Sequence, residues 1–135
     1  MPTLRLSLCP PQKPERHARL AQVLTALTAD LLHKRPEVTA VLMDECLPGR
    51  WTIGGVATDQ PTALLEISIT AGTNTDEEKA AFIAAAFREL QAELAPGGEL
   101  APASYVIVRE LAAGDWGYGG LTQRARQQAR TASTA

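Results

Sequence analysis

The sequence predicts an α+β fold of two tandem β-α-β units, whose four main strands form one sheet with two helices on one face. Three observations carry this expectation. Residues 41–55 align without a gap on residues 106–120, so that Val41, Glu45, Gly49, Trp51 and Gly54-Gly55 recur as Val106, Glu110, Gly114, Trp116 and Gly119-Gly120. Upstream of each copy lies an alternating strand, Leu4, Leu6 and Leu8 in the first and Leu65, Ile67 and Ile69 in the second. Between strand and repeat, each unit carries an apolar pattern of helical period. At 135 residues and 45% hydrophobic content, the two units together can close one core that neither would bury alone.

Each element has its own local reason. In Thr3 to Leu8 the leucines point to one face, with Arg5 and Ser7 on the other, and Cys9-Pro10-Pro11 ends the strand. Pro14 suits a first helical turn, after which Leu20, Val23, Leu24, Leu27 and Leu31 recur at helical spacing until Pro36 forbids continuation. Val38 to Met43 is the closing strand, and Trp51 to Gly55 reads as a hairpin whose glycines supply positive φ. Residues 56–62 are the linker between units of about 2–55 and 63–120.

The second unit repeats the order. Its first strand spans Leu64 to Ile69, and Thr75 with Glu78 forms a capping box that starts the next helix. Phe82, Ile83, Ala86, Phe87, Leu90 and Leu94 are the apolar positions of that helix, and Pro96-Gly97-Gly98 stops it. Tyr105 to Val108 closes the sheet, followed by a hairpin over Trp116 to Gly120. The single domain then covers residues 1–121, leaving 122–135 as a tail in which Arg124, Arg126 and Arg130 form a local basic patch on a frayed helix. Consecutive strand-helix-strand units are parallel and right-handed. With both helices on one face, the other face has no cover within the chain, although both strand parities carry apolar residues. Other copies of the protein are expected to cover it.

Composition excludes several functions. A formal net charge of −2 offers no global attraction to nucleic acid or anionic membranes. No apolar run is long enough to span a bilayer and no secretory signal is visible, so a cytoplasmic location is expected. Cys9 and Cys46 lack C-x-x-C spacing and read as free thiols. His17 and His33 have no carboxylate or cysteine cluster in sequence and read as surface residues, so no metal is expected. The glycine pairs follow tryptophans instead of joining a strand to a helix, which argues against a phosphate loop and a nucleotide cofactor. No Gly-x-Ser-x-Gly or Cys-His arrangement supports a nucleophilic hydrolase.

Pro2 is the residue with a chemical possibility of its own. Loss of Met1 would leave it as a secondary amine, and an α-amino group of ordinary pKa about 7.7–8.0, lowered further by burial, can serve as a general base near neutral pH. Pro2 at the head of a β-α-β unit, together with Val106-Ile107-Val108-Arg109-Glu110 and Gly114-Asp115-Trp116-Gly117-Tyr118-Gly119-Gly120, resembles the tautomerase superfamily. The second half resembles a 4-oxalocrotonate tautomerase subunit. Over residues 2–121 the chain resembles two-unit members, including fused tautomerases and the cis-3-chloroacrylic acid dehalogenase group.

The resemblance implies that Pro2 is the catalytic group, that the chain forms a homotrimer, and that the substrate is a small carbonyl compound or unsaturated acid. Ala63 stands where a second proline would align, so it implies one site per chain. Family members acting on carboxylates place arginines in the loop after a first-type strand and on a closing strand. Here those positions read Thr70-Ala71-Gly72-Thr73-Asn74, with Ala40 and Tyr105 on the closing strands. A bidentate carboxylate partner is therefore missing there, which weakens a dicarboxylate reading and weakens haloacrylate dehalogenation more. Thr70, Thr73, Asn74, Tyr105, Arg109 and Trp116 remain the substrate-binding candidates, with the backbone N–H groups of the 70–74 loop or Arg109 facing the enolate. Arg109 and Arg50 also read as solvated or subunit-contact residues, and Trp51 and Trp116 as pocket walls or interface packing. The remaining alternatives are dehalogenation or hydration of a 3-substituted acrylate, and an oligomeric scaffold without catalysis.

Overall fold

The structure, a computed structural model, describes residues 2–134; removal of Met1 lies outside the described residues. Strand β1 (Thr3–Cys9), helix α1 (Pro14–Leu32), a 3₁₀ turn (Pro36–Val38) and strand β2 (Ala40–Glu45) make the first unit. A short hairpin, β3 (Thr52–Ile53) with β4 (Val56–Ala57), follows. The second unit is β5 (Thr62–Thr70), α2 (Asp76–Leu94) and β6 (Tyr105–Leu111), followed by hairpin β7 (Gly117–Tyr118) and β8 (Leu121–Thr122) and by helix α3 (Gln123–Thr134).

The main sheet runs β2-β1-β5-β6. Each unit pairs its own two strands in parallel, and the units meet antiparallel at β1 and β5, with Thr3 opposite Ser68 and Leu8 opposite Ala63. The expected α+β sheet is the observed one. Closing strand β2 begins at Ala40 because Pro36 to Val38 first form a 3₁₀ turn, and β6 runs on past Val108 to Leu111.

The repeat extends to packing. Helix α1 buries Leu20, Leu24, Thr28 and Leu32, and α2 buries Phe82, Ala86, Leu90 and Leu94, the same four-residue ladder in each. Both ladders join Leu4, Leu6, Leu8, Ala63, Leu65, Ile67 and Ile69 in one core. Thr28 is the polar member, and its hydroxyl donates to the Leu24 carbonyl at 2.7 Å, which removes the cost of burying it. Ile83, one position off the ladder, is 38% exposed.

The capping box at α2 is complete. Thr75 Oγ1 accepts from the Glu78 N–H at 3.1 Å, and Glu78 Oε1 accepts from the Thr75 N–H at 2.8 Å. Thr75→Ala is expected to cost about 1 kcal/mol of stability, read as a lowered urea midpoint with an unchanged slope.

The other sheet face is open. Leu42, Tyr105 and Ile107 project from it, at 57%, 61% and 36% exposure. Arg5–Asp44 at 2.9 Å and Arg109–Glu66 at 3.4 Å form ion pairs on the same face, and exposed pairs of this kind contribute little stability. Among the described residues, no helix is long and apolar enough to cross a membrane.

Segment 123–134 is anchored at its start, beyond what a frayed helix would show. Thr122 Oγ1 accepts from the Ala125 N–H at 3.0 Å, as an N-cap does. Gln123 is 4% exposed, and the Arg126 guanidinium lies 3.8 Å from the Tyr118 ring centroid while donating to the Tyr118 carbonyl at 2.8 Å. Polar and cation–π contacts hold this helix, so hydrophobic periodicity does not announce it. Gly117 is required in the supporting hairpin because a Cβ there would collide with the Leu121 backbone.

Candidate active site

Pro2 is buried at the sheet end where β1 and β2 begin and β5 terminates. Its carbonyl accepts from the Ala40 N–H at 3.3 Å, which ties it to the start of β2. At the same end a cavity of about 200 Å³ is lined by His33, Lys34, Arg35 and Val38 from the α1–β2 connection and by Thr70 and Thr73 from the end of β5. Tyr118 of β7 and Gln123, Gln127 and Arg130 of α3 complete it. Two separate segments, the α1–β2 connection and α3, therefore bring basic and amide side chains to one small space.

The local network fixes Lys34. Its Nζ donates to Thr73 Oγ1 at 2.8 Å, and the Thr73 hydroxyl donates to the Thr70 carbonyl at 2.7 Å. Burial lowers the Lys34 pKa, while the nearby carboxylates of Glu78 and Glu110 oppose that shift. Glu110 itself is held below the usual carboxylate range by its ion pair with Lys79 and by the Gly72 N–H at 3.1 Å. Gln123 Nε2 is buried without a hydrogen-bond partner although the residue lines the cavity, and an unpaired buried amide donor costs stability until something accepts from it. Arg35 pairs with Glu37 at 2.8 Å and His33 with Glu78 at 3.0 Å, so the basic lining is partly neutralised, while Lys34 and the unpaired Gln123 donor still suit a small anion bearing further oxygens.

Of the sequence candidates, Thr70 and Thr73 line this cavity. Asn74 lies next to them in the loop, but its Nδ2 donates to the Leu32 carbonyl at 3.0 Å and to Glu78 at 3.3 Å, a bracing arrangement. The backbone N–H groups of Ala71 and Gly72 are already committed, to the Leu111 carbonyl at 2.8 Å and to Glu110. They are not free to face an enolate. Arg109 lies on the open sheet face against Glu66, and Tyr105 starts β6 at the opposite end of the sheet, opposite Leu64. Trp116 lines a separate cleft with Gly114, Asp115 and Leu121. One chain does not bring Tyr105, Arg109 or Trp116 to this cavity, and Pro2 shares its end of the sheet without being among the residues that line it.

Lys34, Arg35, Gln123, Gln127 and Arg130 escaped the sequence reading. A signal existed for the first two, since His33-Lys34-Arg35 make the α1–β2 connection basic where the matching connection in the second unit, Ala95 to Ser104, carries no lysine or arginine. That second connection also fills its end of the sheet. Ala63, the counterpart of Pro2, is 1% exposed, its N–H donates to Ser104 Oγ at 3.2 Å, and Leu100 and Ala101 are buried beside it.

No protein-family model and no curated protein sequence matches the chain. Solved structures do. The F6 fused 4-OT, described as an asymmetric trimer, is 30% identical with a TM-score of 0.80, covering 92% of this chain and 98% of its own. A native fused 4-OT is 29% identical with a TM-score of 0.77, over 91% and 97% of the two chains. N1, a member of the cis-3-chloroacrylic acid dehalogenase family, shares the fold with a TM-score of 0.78 at 19% identity, over 97% and 91%. With identity at the level of the F6 protein across nearly the whole of both chains and the same two-unit sheet, the protein belongs to the tautomerase superfamily.

Proposed function

We propose that the protein is a proline-based tautomerase that moves a proton between carbon and oxygen of a small, anionic enol or unsaturated carbonyl compound. The observation that carries this reading is the small cavity lined by Lys34, Arg130 and the unpaired Gln123 amide at the same end of the sheet as buried Pro2. With Met1 removed, the neutral Pro2 amine accepts the hydroxyl or α-carbon proton and returns it elsewhere along the conjugated system. Lys34 and Arg130 hold the substrate carboxylate in place of the absent family arginines. Gln123 Nε2 and the Thr70 hydroxyl donate to the oxygen on which enolate charge develops.

The proposed assembly is a homotrimer packed through the open sheet face. Leu42, Tyr105 and Ile107 supply apolar area there, and F6 and R7 fused 4-OT are asymmetric trimers. In that assembly Tyr105, Arg109 and Trp116 reach a substrate only as parts of a neighbouring copy.

The test is ketonisation of an arylenolpyruvate by protein whose intact mass lacks one methionine. Acceleration over buffer supports the reading. No acceleration, in protein that begins at Pro2, overturns it in favour of a non-catalytic scaffold, and chloride release from cis-3-chloroacrylate would favour dehalogenation. Lys34→Gln is expected to raise KM about tenfold while changing kcat much less, because a charged hydrogen bond to bound substrate is lost. In the wild type, KM rises with pH below the usual lysine range, since Lys34 loses its charge as pH passes its lowered pKa. A KM unaffected by the substitution would remove Lys34 from the site.

A further inference from the structure

The free thiols Cys9 and Cys46 lie at the opposite end of β1 from Pro2, yet the sheet makes them neighbours. Strands β1 and β2 run parallel with Leu8 opposite Glu45, and the ladder continues one residue further, since the Cys46 N–H donates to the Leu8 carbonyl at 2.9 Å. The next pair in register is Cys9 with Cys46. By strand alternation both side chains belong to the face shared by Arg5, Ser7, Leu42 and Asp44, so they leave the sheet on the same side. Adjacent strands lie about 4.7–4.9 Å apart, inside the Cα separation of about 4.4–6.8 Å that a disulfide spans.

Their surroundings differ in a useful way. Cys9 is 6% exposed, whereas Cys46 is half-buried and opens into a cavity of about 450 Å³ with Arg50, Trp51 and Glu45. The Cys46 thiol points its hydrogen toward the Leu47 carbonyl, at 3.6 Å from the sulfur. Burial raises the Cys9 pKa, and the adjacent Cys46 thiol raises it further.

We propose that Cys9 and Cys46 form a reversible oxidation site that closes to an intrachain disulfide in the presence of hydrogen peroxide. The Cys46 thiolate attacks a peroxide oxygen, the O–O bond breaks, and Cys46 becomes a sulfenic acid as hydroxide leaves. The Cys9 thiolate then attacks the Cys46 sulfur, the S–O bond breaks, and a second hydroxide leaves. The protons given up by the two thiols convert both hydroxides to water. Two thiols lose two electrons in all, and one peroxide becomes two waters. The cross-link ties the end of β1 to the turn leading into the Trp51 hairpin.

The inference is independent of the proline chemistry and is tested on the full-length wild type. Reduced protein is treated with hydrogen peroxide, denatured with an alkylating agent present, and weighed intact. The expected product has lost two hydrogens, takes up no alkyl group, regains both thiols with dithiothreitol, and yields one cross-linked peptide holding Cys9 and Cys46. In Cys9→Ser the same treatment should instead leave oxygen on Cys46. A wild-type product with oxygen on Cys46 and Cys9 still alkylated overturns the proposal, as does a covalent dimer or protein with both thiols unchanged.

Discussion

Protein carrying one additional residue on the Pro2 nitrogen is expected to ketonise an arylenolpyruvate about 10²–10⁴-fold more slowly than protein that begins at Pro2. The size of the loss follows from what acylation does to the nitrogen. In an amide the lone pair is shared with the carbonyl, so it has no basicity to offer a proton. Pro2→Ala is the milder variant, because a primary α-amino group of similar ordinary pKa remains and only ring geometry and placement change. Its rate should fall between the two. The order free proline, free alanine, extended chain is therefore the signature of an amine base, whereas a site that only binds and polarises its substrate would leave all three rates similar. Near-ultraviolet circular dichroism of the three proteins separates chemistry from misfolding, since Pro2 also anchors Ala40 through its carbonyl.

Much of the fold was legible because it is written twice. A strand of alternating leucines, a helix with an apolar stripe and a closing strand recur in order, and the buried ladder Leu20, Leu24, Thr28, Leu32 mirrors Phe82, Ala86, Leu90, Leu94. The site was less legible for a topological reason. Lys34, Thr73 and Arg130 come from three stretches of chain that meet only after β1 pairs antiparallel with β5, which brings them to the sheet end of Pro2, and after α3 folds back over the second hairpin. Local periodicity does not encode that meeting. Helix α3 was the hardest element to read, since Arg126 on Tyr118 and the Thr122 cap hold it in place of an apolar stripe. The basic His33-Lys34-Arg35 connection was the available clue, because the matching connection of the second repeat has no lysine or arginine.

Phe82→Ala is expected to lower stability by about 3–5 kcal/mol, far more than a surface substitution should cost. Phe82 is fully buried and is the bulkiest residue of a core shared by both units, so truncation leaves a cavity that neighbours from two helices and the sheet must all move to fill. Ile83→Ala is the internal control. Ile83 sits next in sequence but is 38% exposed, and its loss should cost well under 1 kcal/mol in an isolated chain. The contrast is measured by urea unfolding at several protein concentrations, because an oligomer that forms only from folded chains makes apparent stability concentration-dependent. A wide gap between the two variants that persists across concentrations places Phe82 in the core of the single chain. A cost for Ile83→Ala that shrinks as protein is diluted would place Ile83 in a contact between copies, since the contact is lost with the oligomer, and equal costs for the two at every concentration would contradict the assigned helix face.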